Sequence, residues 1–306
     1  MFKIKSITIT WFACVLLLFS ACEPYEDFIQ DFDYSSVYFG TQKPLRTLVS
    51  RASSDQLTFK LGVAIGGLRE NKQDHWVTFE LDTTLLDSIP GAEVFQLLPE
   101  DWYSFDISEN KIIIPKGEFL GDFTISIDKE KFSADPLSLS KTYALPVKIL
   151  DSSLDSILRG DEVTNPKDYT IVVVKYINEY SGVHYVRGRQ VELDSNGEVI
   201  DGSLQEYYFE DWIKNTTRNL VTVNPTECDM SGIGRSALDK MRLHVGDDNT
   251  LTLSKLTVDI VDLGCSFEDG VYHLQYEYTK SGKTFRVEES MKQRNDPEKD
   301  LRFEEW

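Results

Sequence analysis

From Tyr34 onward apolar and polar residues alternate with a period of two, the pattern of half-buried strands. Leu57, Phe59, Leu61 and Val63 share one face of their segment, and in Val77-Thr78-Phe79-Glu80-Leu81 the odd positions are the apolar ones. Val37 to Phe39, Leu45 to Val49, Lys111 to Ile114, Phe123 to Ile127, Tyr143 to Ile149 and Tyr169 to Tyr176 are further candidate strands, bounded by Gly, Pro, Asn and Asp. Ile171 to Val174 is continuously apolar, which predicts a central closing strand there. Thr83 to Ser88 and Lys129 to Ala134 each predict one helical turn. Short alternating strands between turn clusters predict an antiparallel sandwich.

The pattern breaks at Asn178-Glu179-Tyr180-Ser181-Gly182, which places a boundary between units 34–178 and 179–306. The second half reads as successive hairpins. Turns are expected at Asp194–Gly197, Gly246–Asn249 and Lys280–Lys283, the first with an Asn-Gly pair suited to positive φ. Tyr272, Leu274, Tyr276 and Tyr278 share one face, read as barrel interior, with His273, Gln275 and Glu277 on the other. The fold class is all-β: an immunoglobulin-like β-sandwich, then an antiparallel meander or barrel of lipocalin-like form.

The first residues change the picture. Ile7 to Phe19 is an apolar run behind Lys3 and Lys5 that ends in Phe19-Ser20-Ala21-Cys22. At 13 residues it is shorter than the ~20 a membrane-spanning helix needs, and it predicts a signal peptide over 1–21. A cysteine after Ser-Ala is the lipid acceptor that lipoprotein signal peptidase requires, so Cys22 is expected to become an acylated N-terminus. Residues 22–33, with Glu23, Glu26, Asp27 and Asp31, form an acidic tether. Removing residues 1–21 takes the net charge from −19 to −21, which disfavours nucleic acid and anionic lipid as partners. With Cys14 removed and Cys22 acylated, Cys228 and Cys265 are the candidates for a disulfide; the alternative is two buried thiols.

Catalytic motifs are scarce. Ser281-Gly282-Lys283-Thr284 lacks the preceding glycine of a phosphate-binding loop, because Glu277 stands in its place. Nucleophile elbow, zinc-protease, Cys-x-x-Cys and dinucleotide signatures are missing, and His75, His184, His244 and His273 have no ligand-like spacing. No metal and no cofactor are expected, and no catalytic residue stands out.

Tyr38-Phe39, Arg46-Thr47-Leu48, Leu98-Pro99 with Tyr103, Ile114-Pro115-Lys116-Gly117 and Leu145-Pro146-Val147 resemble the N-terminal domain of unknown function common in Bacteroidota surface lipoproteins, also found before chitinase-like glycosidase domains. Arg218 to Thr222, Met241-Arg242-Leu243 and Arg302 to Trp306 resemble its frequent C-terminal companion. The resemblance implies a lipid-anchored protein of the outer membrane, facing outward, in a polysaccharide-utilisation system beside a transporter complex. Asp82-Thr83-Thr84, Asp87-Ser88-Ile89 and Asp155-Ser156-Ile157 resemble the Asp–hydroxyl–apolar acceptors of Bacteroidota O-glycosylation, at Thr83, Ser88 and Ser156.

Sugars present C–H-rich faces that flat aromatic rings cover while polar neighbours bond the hydroxyls. Tyr207, Tyr208 and Trp212, beside Glu210, Asp211, Lys214 and Asn215, are the candidate binding residues, with outward-facing Trp76 next. For each single aromatic, core packing is the competing role. The leading expectation is non-catalytic binding of a poly- or oligosaccharide. A structural accessory or adhesin-like partner of a surface transporter is the alternative, and a glycoside hydrolase is third.

Overall fold

The computed structural model describes residues 34–306 except 247 and 249; the predicted signal peptide, Cys14, Cys22 and the acidic tether lie outside the described residues. The first unit contains β1 (Ser36–Tyr38), β2 (Pro44–Ser50), β3 (Gln56–Gly66), β4 (His75–Leu81), β5 (Gln96–Leu97) and β6 (Tyr103–Phe105). It continues with β7 (Lys111–Ile114), β8 (Leu120–Asp128), β9 (Tyr143–Ser152), β10 (Ser156–Ile157) and β11 (Tyr169–Asn178). The predicted alternation holds: Leu57, Phe59, Leu61 and Val63 of β3 are buried while the residues between them are more exposed.

One sheet runs β10-β1-β3-β8-β6, and the facing sheet carries β2-β11-β9-β4-β7. The chain's first strand is split between them, β1 beside β3 and β2 parallel to β11, an arrangement of the immunoglobulin type. Phe59, Phe79, Phe123, Ile125, Leu145, Val172 and Val174 fill the space between the sheets. Ile171 and Val173 point the other way, into a second cluster with Leu45 and Ala144 that is roofed by Leu85 and Leu86 of the short helix Thr84–Ser88. Burial on both faces accounts for the unbroken apolar run in β11.

The second unit comprises β12 (Gly182–Leu193), β13 (Gln205–Tyr207), β14 (Thr216–Asn224), β15 (Glu227–Ile233) and β16 (Ser236–Val245). It continues with β17 (Thr250–Lys255), β18 (Asp259–Asp262), β19 (Cys265–Glu268), β20 (Val271–Lys280) and β21 (Lys283–Gln293). Pairing passes β12-β14-β15-β16-β17-β19-β20-β21 and returns to β12, so the sheet closes into a barrel. Two of the expected hairpins are present, between β16 and β17 and between β20 and β21. In the latter, Ser281 (φ 52°) and Gly282 (φ 77°) supply the two left-handed positions of a two-residue turn. The first expected hairpin differs. After Gly197 the chain makes one bridge, Leu193 to Val199, and then wanders to residue 215, contributing only β13 to the wall beside β12.

Tyr272, Leu274, Tyr276 and Tyr278 point inward, as their spacing predicts, and with Met230, Met241, Val287 and Met291 they fill the barrel. The fold class is thus all-β, sandwich then barrel. The Cys228–Cys265 disulfide is not formed. Cys228 is in register with Leu243, Leu243 with Leu253, and Cys265 with Leu251 one strand further, so the cysteines stand three strands apart. At ~4.8 Å per strand that is roughly 14 Å of wall, against the ~6 Å between Cα atoms that a bridge requires. Both thiols are free, and burial pushes the Cys228 thiol up to about 11 and that of Cys265 to about 12.

Asn178, fully buried at the end of β11, pins the units together. Its backbone N–H donates to Thr222 Oγ1 (2.9 Å), its amide donates to the carbonyls of Asn224 (2.9 Å) and Glu227 (3.0 Å), and Cys228 Sγ donates to its Oδ1. Residues after β21 then return to the sandwich. Arg51 holds Asp296 at 2.8 Å, and β22 (Glu304–Glu305) pairs antiparallel with Pro44 and Leu45 at the free edge of β2. The segment assigned from sequence to the second unit alone therefore completes a sheet of the first.

His184 faces the barrel interior with no exposed surface, edge-on to Tyr272 at 5.3 Å. Its Nδ1 lies 3.0 Å from the carbonyl of Gly182, which makes Nδ1 the protonated nitrogen, and its Nε2 has no partner. Burial holds it down at about 4, below its ordinary 6.5. The unfolded chain therefore binds a proton that the folded protein refuses. Stability is complete above pH ~6.5 and falls progressively toward pH ~4, by about 3 kcal/mol from this residue. His184→Phe should flatten that portion of the melting-temperature profile. Identical slopes for the two proteins would refute the assignment.

Candidate functional site

A groove of about 450 Å3 lies on the outer wall of the barrel, across β12, β20 and β21 and bordered by Glu206 and Tyr208. Strand alternation sets its lining. Residues one step away from the inward-facing ones, namely Arg187, Arg189, His273, Gln275, Glu288 and Ser290, form its floor. Arg189 grips Glu288 through Nε (3.0 Å) and Nη2 (2.7 Å), and His273 Nδ1 lies 3.3 Å from Ser290 Oγ.

The excursion between β12 and β14 builds the rim. Asn215, buried, ties it down: its amide donates to the carbonyls of Phe209 and Asp211 at 2.9 Å, and its Oδ1 accepts from the Phe209 N–H at 2.8 Å. Asp211 caps the 3-10 turn Trp212–Lys214 by accepting from Ile213 N–H. Tyr208 and Trp212 are thereby held around one cation. The Arg187 guanidinium lies 3.9 Å from the centre of the Trp212 ring and 4.8 Å from that of Tyr208, and its Nη1 donates to the Glu210 carbonyl at 2.9 Å. An arginine shared by two rings is a preorganised donor, because stacking fixes its plane.

Tyr207 does not belong to this rim. It points into the barrel, where its hydroxyl donates to Glu289 at 2.5 Å. Glu289 also receives both terminal nitrogens of Arg218 and the Tyr276 hydroxyl (2.9 Å), while Arg218 Nη2 donates to the Gly234 carbonyl at 2.7 Å. Burial opposes the Arg218 charge, but Glu289 more than restores it, so the guanidinium is held above its ordinary value. Burial and Glu289 likewise raise the Tyr207 and Tyr276 phenols far above theirs. Gly188 makes room for this: a Cβ there would sit 2.3 Å from the Glu288 carbonyl and 2.8 Å from Glu289 Cγ. Adjacent tyrosines on a strand face opposite sides, which is why the sequence pair 207–208 separates into one interior and one rim residue.

Trp76 faces outward on β4, half-exposed, with Lys111 Nζ 5.3 Å above its ring, on the sandwich and apart from the groove. Thr83 and Ser88 are exposed at the two ends of the helix Thr84–Ser88, as an acceptor site needs. Ser156 departs from that expectation, because it sits half-buried in a strand pair and its hydroxyl donates to the Ser35 carbonyl at 3.1 Å. Among the described residues no cluster of three or more His, Cys, Asp or Glu is placed to hold a metal. Arg187 escaped the sequence reading because an outward arginine on a strand resembles any surface cation.

The chain is an all-β protein of two units, an immunoglobulin-type sandwich and a closed barrel with a groove on its outer wall. A family model described as a "-like, N-terminal domain" matches residues 32–156, in keeping with the resemblance carried by the first unit. A Bacteroides ovatus protein of unknown function shares the fold with a TM-score of 0.70 at 20% identity, over 86% of this chain and 95% of that one. An auxiliary nutrient binding protein of Bacteroides thetaiotaomicron superposes more loosely (TM-score 0.37, 11% identity, 89% of this chain and 94% of that one). So does EndoBT-3987 of the same organism, solved with a Man5GlcNAc product (TM-score 0.31, 19% identity, 44% of this chain and 31% of that one). Likeness at those two levels carries no argument about function. No curated protein matches the chain.

Proposed function

We propose that the protein binds glycan without cleaving it, at the barrel's outer groove. The observation that supports this reading most is the aromatic border: Tyr208 at the groove and Trp212 against the same Arg187 guanidinium, beside a floor of hydrogen-bonding side chains. Open grooves lined by polar groups with an aromatic edge suit chains of hydroxyl-rich units. The groove's Glu288 is committed to Arg189 and is not free to act as one of a hydrolytic carboxylate pair. Release of reducing sugar from any bound polysaccharide would overturn the non-catalytic part of the proposal.

Trp212→Ala should weaken glycan binding roughly ten-fold, since a ring on a sugar face contributes on the order of 1–2 kcal/mol. Its melting temperature should change little, because the Asn215 bonds to Phe209 and Asp211 and the Arg187 bond to the Glu210 carbonyl still close the excursion. Retention on polysaccharide affinity gels measures the first and a thermal melt the second. Unchanged retention with an unchanged melt would move the site elsewhere, with Trp76 the next candidate.

The proposal includes the setting: anchorage through Cys22 to the outer membrane, facing outward, beside a transporter complex. Cys22→Ala should then leave protein that no longer partitions with membranes into detergent. Continued partitioning would remove the anchor.

A further inference from the structure

We propose that the groove selects acidic saccharides, with the guanidinium of Arg187 receiving a sugar carboxylate. This rests on the glycan-binding reading and adds the class of glycan. In a chain of net charge −19, two cations line the groove, and one of them, Arg189, is held by Glu288 at 2.7 Å. Arg187 is different. Its polar partner is a backbone carbonyl, that of Glu210, and its Nε has no partner.

The rings of Tyr208 and Trp212 crowd the guanidinium at 4.8 and 3.9 Å, so a ligand meets it at its edge, where the N–H groups lie. With Nη1 committed to Glu210 and Nε buried, Nη2 is the donor left for a carboxylate.

The other charged groups define polarity along the groove. Glu206 stands in register with Arg189 on the neighbouring strand, and Glu288 grips Arg189 from the other side. His273 faces Ser290. Glu206 and Glu288 therefore gather around Arg189, while Arg187 stands in register with Ser290 and the nearby Glu289 is turned inward onto Arg218. An acidic unit is welcome at the aromatic end and repelled one step along, so the preferred ligand carries its acid at one end with neutral units after it.

The test is titration of the protein with uronic-acid-terminated oligosaccharides, each matched by its methyl ester, which keeps the shape and removes the charge. The acid should bind at least about tenfold more tightly than its ester at low salt, as charge-assisted hydrogen bonds allow, and the gap should narrow as salt rises. Arg187→Gln should bring the acid-to-ester affinity ratio to about one, with ester binding itself weakened as the rim loses its support, and Arg187→Lys, which keeps charge but not the planar edge, should restore only part of the ratio. Equal binding of acid and ester by the wild type overturns the proposal and leaves the glycan-binding reading intact. Tighter binding of sulfated counterparts than of carboxylated ones overturns the choice of carboxylate. Failure to bind acids, esters and neutral glycans alike overturns both. Should Arg187→Gln lower the melting temperature, the acid–ester comparison on the wild type still decides.

Discussion

Glu289→Ala should cost the protein about 3–5 kcal/mol, the largest loss expected from a single change in the barrel. Glu289 is the common acceptor for Arg218, Tyr207 and Tyr276, and both it and Arg218 are sealed from water. Removing it leaves a guanidinium buried without a counter-charge and two phenols without an acceptor. The penalty comes from those orphaned partners and not from the net worth of the pair, which in a buried setting is small. The double variant Arg218→Met with Glu289→Leu should therefore recover much of the loss. Chemical denaturation of the three proteins decides it; a single variant as stable as the wild type would mean that water reaches the network.

The second large effect is expected at the opposite end of the molecule. Trp306→Ala should destabilise by about 3 kcal/mol, near the lower end for deletion of a large aromatic because the ring is only partly buried. The indole packs edge-on to Phe95 at 4.9 Å in the cluster of Leu45, Ile171 and Val173, its Nε1 donates to the Ile171 carbonyl at 2.6 Å, and Lys43 Nζ lies 4.7 Å above it. The loss should appear in the sandwich first, as faster amide exchange in β2. Unchanged exchange there would mean that the segment 304–306 contributes nothing to the first unit.

Most strands were legible because one face of each is buried, and burial on one face writes itself as alternation. Phe59 against Lys60, or Tyr276 against Gln275, needs no further information. What alternation cannot convey is what lies across a strand. Parity of cysteines suggested Cys228 with Cys265, but only the strand order shows two strands between them. Tyr207, Tyr208 and Trp212 were legible as a cluster, and their opposite fates were not, because residues 198–215 have little regular pairing to fix which way each faces. Arg187 was silent for a related reason: its role comes from partners up to 25 positions away that no local pattern marks. Gly188 was silent too, since its need for a missing Cβ arises from Glu289 on another strand.

The pairing of β22 with β2 bears on the order in which the chain can mature. Pro44 and Leu45 are made early, and their partners Glu305 and Glu304 only after the whole barrel sequence has been added. At ~5–20 residues per second this interval is roughly 10–50 s. Throughout it β2 offers an unpaired edge, the kind of surface on which two nascent chains can join. Pro44 opens that edge with a residue that has no N–H to donate, which blunts it until its proper neighbour is synthesised.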